Sequence, residues 1–241
     1  MNVSSTRCLV HALALAIVFG CVPERLFAQA AAGSGGRALR PWRPVIGVGG
    51  AWLGAQDLGR VTAQTRRAAV GVTAPQLFTL FTTETNLGGA PAAALSVTVP
   101  ITRQWAVVVR GGAARPTLTT TITGDAEGAP ATEATEQTAD YTVEASVAYQ
   151  LPRLGGRHAR AYLLAGGGYL RQLHEANVLV ETGHSWHTGA GLRWWLRGGD
   201  GRARALGLTG ELRWVWQSGG IAYTTATRSI PAAAAGFFVS F

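Results

Sequence analysis

The feature that most constrains the fold of this chain is an alternation of apolar and polar residues with a period of two. It is clearest between Ala205 and Gln217, where one face carries Leu206, Leu208, Leu212, Trp214 and Trp216. The opposite face of the same segment is mostly polar or small. Side chains of a β-strand point alternately to opposite faces, whereas an amphipathic helix repeats about every 3.6 residues. The alternation therefore predicts a strand.

The same pattern recurs along the chain and predicts eight strands. They cover residues 44–54, 90–100, 105–121, 139–150, 160–173, 183–196, 205–217 and 230–241. Short turns follow the second, fourth and sixth strands, and longer connections follow the first, third, fifth and seventh. An even number of antiparallel strands with this loop asymmetry is typical of bacterial outer-membrane barrels. We therefore predict an all-β fold, an eight-stranded antiparallel up-and-down transmembrane β-barrel over residues 44–241. The apolar stretch 68–83 leaves a ten-stranded barrel open.

The apolar faces of these strands contact either lipid or the core of a soluble sandwich or lipocalin. Only 14% of the residues are charged, whereas soluble domains have about 25%. A soluble antiparallel sheet would expose a polar face rich in charge, but here that face carries Gly, Ser, Thr and isolated charges. We therefore expect the apolar faces to contact lipid, and the soluble fold is the alternative.

Aromatic residues fall near both ends of the predicted strands. The residues that we assign to these two rings are Trp42, Trp52, Trp105, Tyr141, Tyr149, Tyr162, Trp186, Trp194, Trp214 and Trp216. Trp and Tyr favour the headgroup level of a bilayer. The two rings therefore predict an aromatic girdle at each membrane interface.

The beginning of the chain resembles an export signal. A mostly apolar run at Leu9–Gly20 precedes a small-x-small pattern at Ala28–Ala30. These features predict a signal peptide over residues 1–30 and an N-terminal periplasmic segment over residues 31–43. The alternative is lipoprotein cleavage, because Val18–Cys21 loosely resembles a lipoprotein cleavage site. The predicted location is the bacterial outer membrane.

The last residues carry a family resemblance. Phe237, Val239 and Phe241 place apolar side chains at every second position up to a terminal Phe. This resembles the signal by which the barrel assembly machinery recognises outer-membrane barrels. Together with the eight-strand layout, it is similar to the barrels of outer membrane proteins A and X. The resemblance implies an integral outer-membrane protein without a cofactor.

Six charged residues are assigned to the inward faces of the strands. They are Arg110, Glu144, Arg171, Arg193, Glu211 and Arg213. The interior of an eight-stranded barrel is just wide enough for side chains to fill, so these charges must pair. We interpret them as a structural lumen charge network, and a narrow ion path is the alternative. Four Arg against two Glu leave the set unbalanced, so we expect His187, Tyr169, Gln150 and Gln217 to complete its hydrogen bonds.

The residues offer weak evidence for an enzyme. Ser185 and His187 share one strand face, and a Ser–His pair resembles the outer-membrane lipid A deacylases, but the order of the residues is reversed. His184 points to the opposite face from His187, so the two cannot bind one metal ion. We therefore predict no catalytic residue, no metal and no cofactor.

The charged residues are separated by side of the predicted barrel. All 21 basic residues are Arg, and the net charge is +8. Many of these Arg lie in the short turns. There we expect them to contact the anionic headgroups of the membrane. In the first long connection, Arg60, Arg66 and Arg67 suit lipopolysaccharide phosphates. The acidic segment Gly124–Asp140 is predicted to be a solvated loop.

The expected partners of the protein are outer-membrane lipids, lipopolysaccharide and the barrel assembly machinery. We expect no nucleic acid among them. The protein is predicted to be a monomer, and its extracellular ligand is unknown.

These observations together predict a non-enzymatic integral outer-membrane β-barrel with a structural or surface-interaction role, a lumen filled by polar side chains and long extracellular loops. Two alternatives remain open at this point. One is a lipid A-modifying outer-membrane enzyme, and the other is a narrow conduit for small or apolar solutes.

Overall fold

A computed structural model describes residues 43–67, 76–154, 158–174, 178–197, 204–222 and 226–241. The predicted signal peptide, almost all of the periplasmic segment and Trp42 lie outside the described residues. The elements of the described part are the strands β1 (Val45–Leu53), β2 (Gln56–Arg67), β3 (Gln76–Leu87), β4 (Ala90–Pro100), β5 (Trp105–Ala114), β6 (Thr117–Thr123), β7 (Thr132–Gln137), β8 (Ala139–Leu154), β9 (Ala159–His174), β10 (Leu179–Arg197), β11 (Ala205–Gly219) and β12 (Arg228–Ser240). No helix in these ranges is apolar and long enough to cross a membrane.

Eight of these strands close into a barrel in the order β1-β12-β11-β10-β9-β8-β5-β4. Every pairing is antiparallel, and β1 completes the ring by pairing with β12 on one side and with β4 on the other. Because a closed barrel has no free edge, all of its strands have hydrogen-bonding neighbours on both sides. The predicted all-β, eight-stranded barrel is confirmed.

The other four strands form a separate sheet in the order β2-β3-β6-β7. The prediction that residues 105–121 form one strand is therefore wrong, because the barrel strand β5 ends at Ala114 and β6 joins this second sheet after Arg115 and Pro116. The possible ten-stranded barrel is also wrong, since the extra hairpin β2–β3 pairs with β6 instead of entering the barrel. Leu58, Leu87, Leu118 and Ile221 form a small buried core at the base of the sheet.

The faces of the barrel strands follow the predicted alternation with one exception. On β11, Leu206, Leu208, Leu212, Trp214 and Trp216 are exposed on the outside, and polar residues point inward. On β9 the assignment is inverted: Tyr162, which we expected in the aromatic girdle, is buried in the lumen, and Arg171, which we expected in the lumen, lies on the outer face. Since successive side chains alternate, one error of phase moves every side chain of a strand to the wrong face.

Two inward aromatic rings lie directly over glycines of neighbouring strands. A Cβ added to Gly191 would lie 2.3 Å from Cζ of Tyr162, and one added to Gly207 would lie 2.4 Å from Cζ of Phe238. These contacts are much shorter than any that a side-chain carbon tolerates. The glycines therefore make room for the rings that fill the lower part of the lumen.

This packing leads to a first prediction about stability. Replacing Gly191 with Ala should lower the free energy of unfolding by about 1–3 kcal/mol, because the Tyr162 ring must move out of an overpacked position. Gly210→Ala is the matched control on the lipid-facing side, since a Cβ there meets nothing within 4 Å. Urea titration of the refolded barrels in lipid vesicles measures both changes, and equal stability of the two variants would contradict the packing described.

Candidate functional site: the buried ion network of the barrel interior

Four charged residues from three strands meet inside the barrel. Arg110 of β5 donates two hydrogen bonds to Glu211 of β11, from Nη1 to Oε1 at 2.7 Å and from Nη2 to Oε2 at 2.9 Å. Arg213 of β11 donates from Nη1 to Oε2 of Glu144 on β8 at 2.5 Å. The Nε atom of Arg213 lies 3.2 Å from Oε1 of Glu211, and Nη1 of Arg110 lies 4.0 Å from Oε2 of Glu144. Each Arg therefore contacts both carboxylates.

The network is balanced in charge, with two Arg against two Glu. Glu144, Glu211 and Arg213 are buried, and Arg110 is nearly so. A charge that is removed from water is costly unless it is paired and hydrogen-bonded. Because the pairs connect strands on different sides of the lumen, the network ties the barrel wall together across its interior.

Tyr162 and Arg193 extend the network toward the turn between β4 and β5. The hydroxyl of Tyr162 donates to Oε2 of Glu211 at 2.9 Å. The guanidinium of Arg193 lies 5.1 Å from the centre of the Tyr162 ring and 6.0 Å from that of Phe238, and its Nη2 donates to Oγ1 of Thr98 at 2.9 Å. Arg193 thus contacts two aromatic faces and a hydroxyl group.

The structure changes the membership of the predicted lumen set. Arg110, Glu144, Glu211 and Arg213 lie together, and Arg193 lies beside them, whereas Arg171 is on the outside of β9. The wrong phase of β9 accounts for one Arg of the expected excess, and the inward set is now three Arg (Arg110, Arg193 and Arg213) against two Glu. For the same reason Tyr169 is exposed on the outer face and does not complete the network, while Gln217 is inward and buried.

His187 pairs with a residue that sequence reasoning missed. Its Nε2 lies 2.8 Å from Oγ of Ser146 on β8, and both side chains are buried in the lumen. The pair that we considered, Ser185 with His187, is not hydrogen-bonded between the side chains described. The Nδ1 atom of His187 has no hydrogen-bond partner among the described residues, so no acid orients the ring. Ser146 was identifiable only as an inward position on β8, without any motif.

Histidines and carboxylates do not converge elsewhere in the described part of the chain. His184 is on the outer face of β10 and His187 on the inner face, as their spacing predicts. No group of three or more His, Cys, Asp or Glu side chains in the described ranges lies in an arrangement that would hold a metal ion.

A second polar cluster fills the end of the lumen next to the long loops. Gln172 donates from Nε2 to Oδ2 of Asp140 at 2.8 Å and accepts from the backbone N of Ile221 at 2.9 Å. Arg228 donates to the carbonyl of Ile221 at 2.8 Å, and Thr138 donates to Oδ1 of Asp140 at 3.3 Å. The prediction that Asp140 belongs to a solvated loop is wrong, because it is buried here. The cluster ties the start of the β11–β12 loop to β8 and β9.

Next to the ion network, side chains enclose a small space in the lumen. This cavity of about 30 Å³ lies between Thr98, Arg110, Tyr162, Arg193 and Phe238. Its volume suits about one water molecule. Around the network, charged, polar and aromatic side chains therefore fill this part of the barrel interior.

Outside the barrel, the aromatic and C-terminal residues lie on the lipid-facing surface. Of the predicted girdle, the following described residues point outward: Trp52, Trp105, Tyr141, Tyr149, Trp186, Trp194, Trp214 and Trp216. Tyr149 and Trp105 are direct partners with ring centres 4.9 Å apart. Phe237, Val239 and Phe241 are likewise exposed on the outer face. Their role as an assembly signal stays a prediction.

The separate sheet exposes apolar and charged side chains. Leu77, Phe78, Leu80 and Phe81 of β3 are all exposed near its far end. Arg60, which we expected to contact phosphates, donates to Oε2 of Glu84 at 2.5 Å, and this hydrogen bond lowers the pKa of Glu84.

The buried network yields a second prediction. Glu211→Ala should lower the free energy of unfolding by about 3–5 kcal/mol, because it leaves the guanidinium groups of Arg110 and Arg213 underpaired in a buried site. The double variant with Arg110→Met and Glu211→Leu should lose less, since it removes one charge of each sign. The experiment is urea titration in lipid vesicles.

The control for this measurement is Glu84→Ala, which breaks an exposed Arg–Glu pair of similar length. We expect no resolved change in its unfolding midpoint, because exposed ion pairs contribute little. An Ala variant of Glu211 as stable as the unsubstituted protein would contradict the role given to the network.

Comparison with known proteins gives matches among solved structures. No protein-family model matches the chain, and no curated protein matches it. The chain is similar to Ail, the attachment invasion locus protein of Yersinia pestis, with 13% identity over 83% of this chain and 99% of that one and a TM-score of 0.38. It is similar to the outer membrane protein OprG from Pseudomonas aeruginosa, with 12% identity over 84% and 97% and a TM-score of 0.47. It also matches the outer membrane protease OmpT from Escherichia coli, with 7% identity over 86% and 99% and a TM-score of 0.31.

The assignment of this chain rests on its own geometry. Eight antiparallel strands close without an edge, large apolar side chains and aromatic rings cover the outside, and paired charges fill the inside. A soluble protein has its apolar side chains inside and its charges outside, and this barrel has the opposite arrangement. Such an arrangement suits a barrel that is surrounded by lipid. The chain is a small, closed, eight-stranded β-barrel with the apolar exterior of a membrane-spanning barrel.

Proposed function

We propose that this protein is a non-enzymatic anchor that holds an extracellular β-sheet at the cell surface for contact with molecules outside the cell. The observation that supports the proposal is the ion network of the interior: Arg110, Glu144, Glu211 and Arg213 pair across the lumen, where a channel would need open space. A barrel without a path through it acts through the surfaces that it presents.

The sheet β2-β3-β6-β7 is such a surface in the described part of the chain, and it lies outside the barrel strands. Its base is fixed by the core of Leu58, Leu87, Leu118 and Ile221, and the backbone N of Gly88 donates to the carbonyl of Thr117 at 2.8 Å. The far end carries exposed apolar side chains on β3. A firm base with an apolar tip favours a role in contact with other molecules.

The enzyme alternative has one candidate pair, Ser146 with His187. A nucleophilic Ser–His pair needs access to its substrate and an acid that orients the histidine. His187 is 1% exposed, and its second nitrogen has no partner among the described residues. These features favour a structural role for the pair within the packed lumen.

A flux measurement tests the closed lumen. The purified protein, refolded into liposomes, should release entrapped potassium and glucose no faster than empty vesicles do, because the ion network blocks the interior. The fraction of folded protein is checked by the faster migration of the unboiled barrel on a denaturing gel. Steady release by fully folded protein would contradict the proposal and favour the conduit.

A surface variant tests the contribution of the sheet. Replacing Leu77, Phe78, Leu80 and Phe81 with Ser should reduce several-fold the attachment of cells producing the protein to a hydrophobic surface, because it removes the apolar tip. The control is a variant with Thr119, Thr120 and Thr121 of β6 replaced by Ser, which leaves the tip intact. Equal attachment by the two variants, at equal amounts of folded protein, would argue against this surface.

A further inference from the structure

An arginine points outward from the barrel wall on β9. Arg171 is exposed on the lipid-facing side and is the direct cross-strand partner of Tyr141 on β8. A cationic side chain on this face is costly at the middle of a bilayer and is tolerated near its interfaces. Its position toward the end of β9 that leads to the long-loop side therefore places it at the level of the outer-leaflet headgroups.

Three neighbours on the same outer face complete a patch around Arg171. Tyr169 lies two residues earlier on β9, and its direct partner on β10 is His184, with ring centres 6.1 Å apart. Tyr141 and Tyr169 are 51% and 43% exposed. Because direct and diagonal partners on one face of a sheet lie within side-chain reach, these four residues form one surface, which we call the Arg171 patch.

The height of the patch is set by the aromatic girdle. Trp186 follows His184 by two residues on the outer face of β10 and is 69% exposed. Tyr141 is itself a girdle residue. The patch therefore lies at the level of the girdle on the side of the long loops, with Val180 exposed farther toward the loop.

The described carboxylates nearest to Arg171 point away from it. Asp140, next to Tyr141, points into the lumen and accepts hydrogen bonds from Gln172 and Thr138. Glu181 pairs with Gln172 in the strand register and so lies on the opposite face from Arg171. Within the described residues, no carboxylate forms an ion pair with Arg171.

We propose that the Arg171 patch binds the phosphate group of an outer-leaflet glycolipid headgroup. The guanidinium group presents a planar fork that matches two phosphate oxygens, and the hydroxyl groups of Tyr141 and Tyr169 are further donors at its sides. The occupant is a lipid headgroup because the patch stands on the outer wall of the barrel at the level of the girdle, where headgroups lie. The inference depends on the outer-membrane location and not on the closed lumen or the extracellular sheet.

The test uses refolded protein in detergent micelles with bisphosphorylated lipid A as the probe. Native mass spectrometry measures the fraction of protein that retains lipid A. Arg171→Gln should reduce this retention about tenfold, and Arg171→Lys should recover only part of it, because an ammonium group lacks the planar fork. Dephosphorylated lipid A should be retained weakly by every variant.

Arg197→Gln is the matched control. Arg197 is also exposed, but it is the last residue of β10, at the end of the barrel next to the short turns. Its substitution should leave lipid A retention unchanged. The gel shift on boiling establishes that each variant is folded, so a loss of retention cannot be a loss of the barrel.

Two results would overturn the proposal. One is equal retention of lipid A by Arg171→Gln and the unsubstituted protein. The other is full displacement of lipid A by an equal concentration of inorganic phosphate, which would assign the patch to the free anion. Failure of the flux or attachment tests would leave this inference untouched, since those tests concern other parts of the molecule.

Discussion

The pairing of two arginines with two glutamates inside the barrel is the interaction on which the rest of the structure depends. An interior that is walled off from water cannot hold a single charge cheaply, so Arg110 and Arg213 require Glu144 and Glu211 at hydrogen-bond distance. These residues come from β5, β8 and β11, and their contacts select one relative position of the three strands. The same contacts occupy part of the lumen, so the proposed closure of the barrel and its stability would have one cause.

The outer surfaces of the protein differ in their chemistry. The outside of the barrel carries apolar and aromatic side chains, and the sheet β2-β3-β6-β7 exposes both apolar and charged ones. The polarity of the side chains on each surface suits a different environment. The protein therefore has chemically distinct surfaces although its sequence has no recognisable catalytic motif.

The strand β9 marks the limit of prediction from the residue pattern. Both of its faces mix apolar, small and polar residues: Tyr162 and Leu170 alternate with Leu163 and Tyr169. The two faces of β9 are too similar in hydrophobicity for the sequence to show which of them points into the barrel. Contacts with other strands decide this in the folded protein, because the Tyr162 side chain needs both the space above Gly191 and the carboxylate of Glu211. The misplaced Arg171 and Tyr162 follow from this single strand.

Residue order alone was sufficient for the number of barrel strands, their approximate limits, the apolar exterior and most of the inward charges, because period-two alternation and turn residues are local properties of the chain. The tertiary structure decided which charges pair, which hydroxyl His187 contacts, and that the long connections form a sheet of their own. Those outcomes join residues that are far apart in sequence, such as Ser146 with His187 and β3 with β6. They depend on which strands become neighbours when the barrel closes, and no local pattern contains that information.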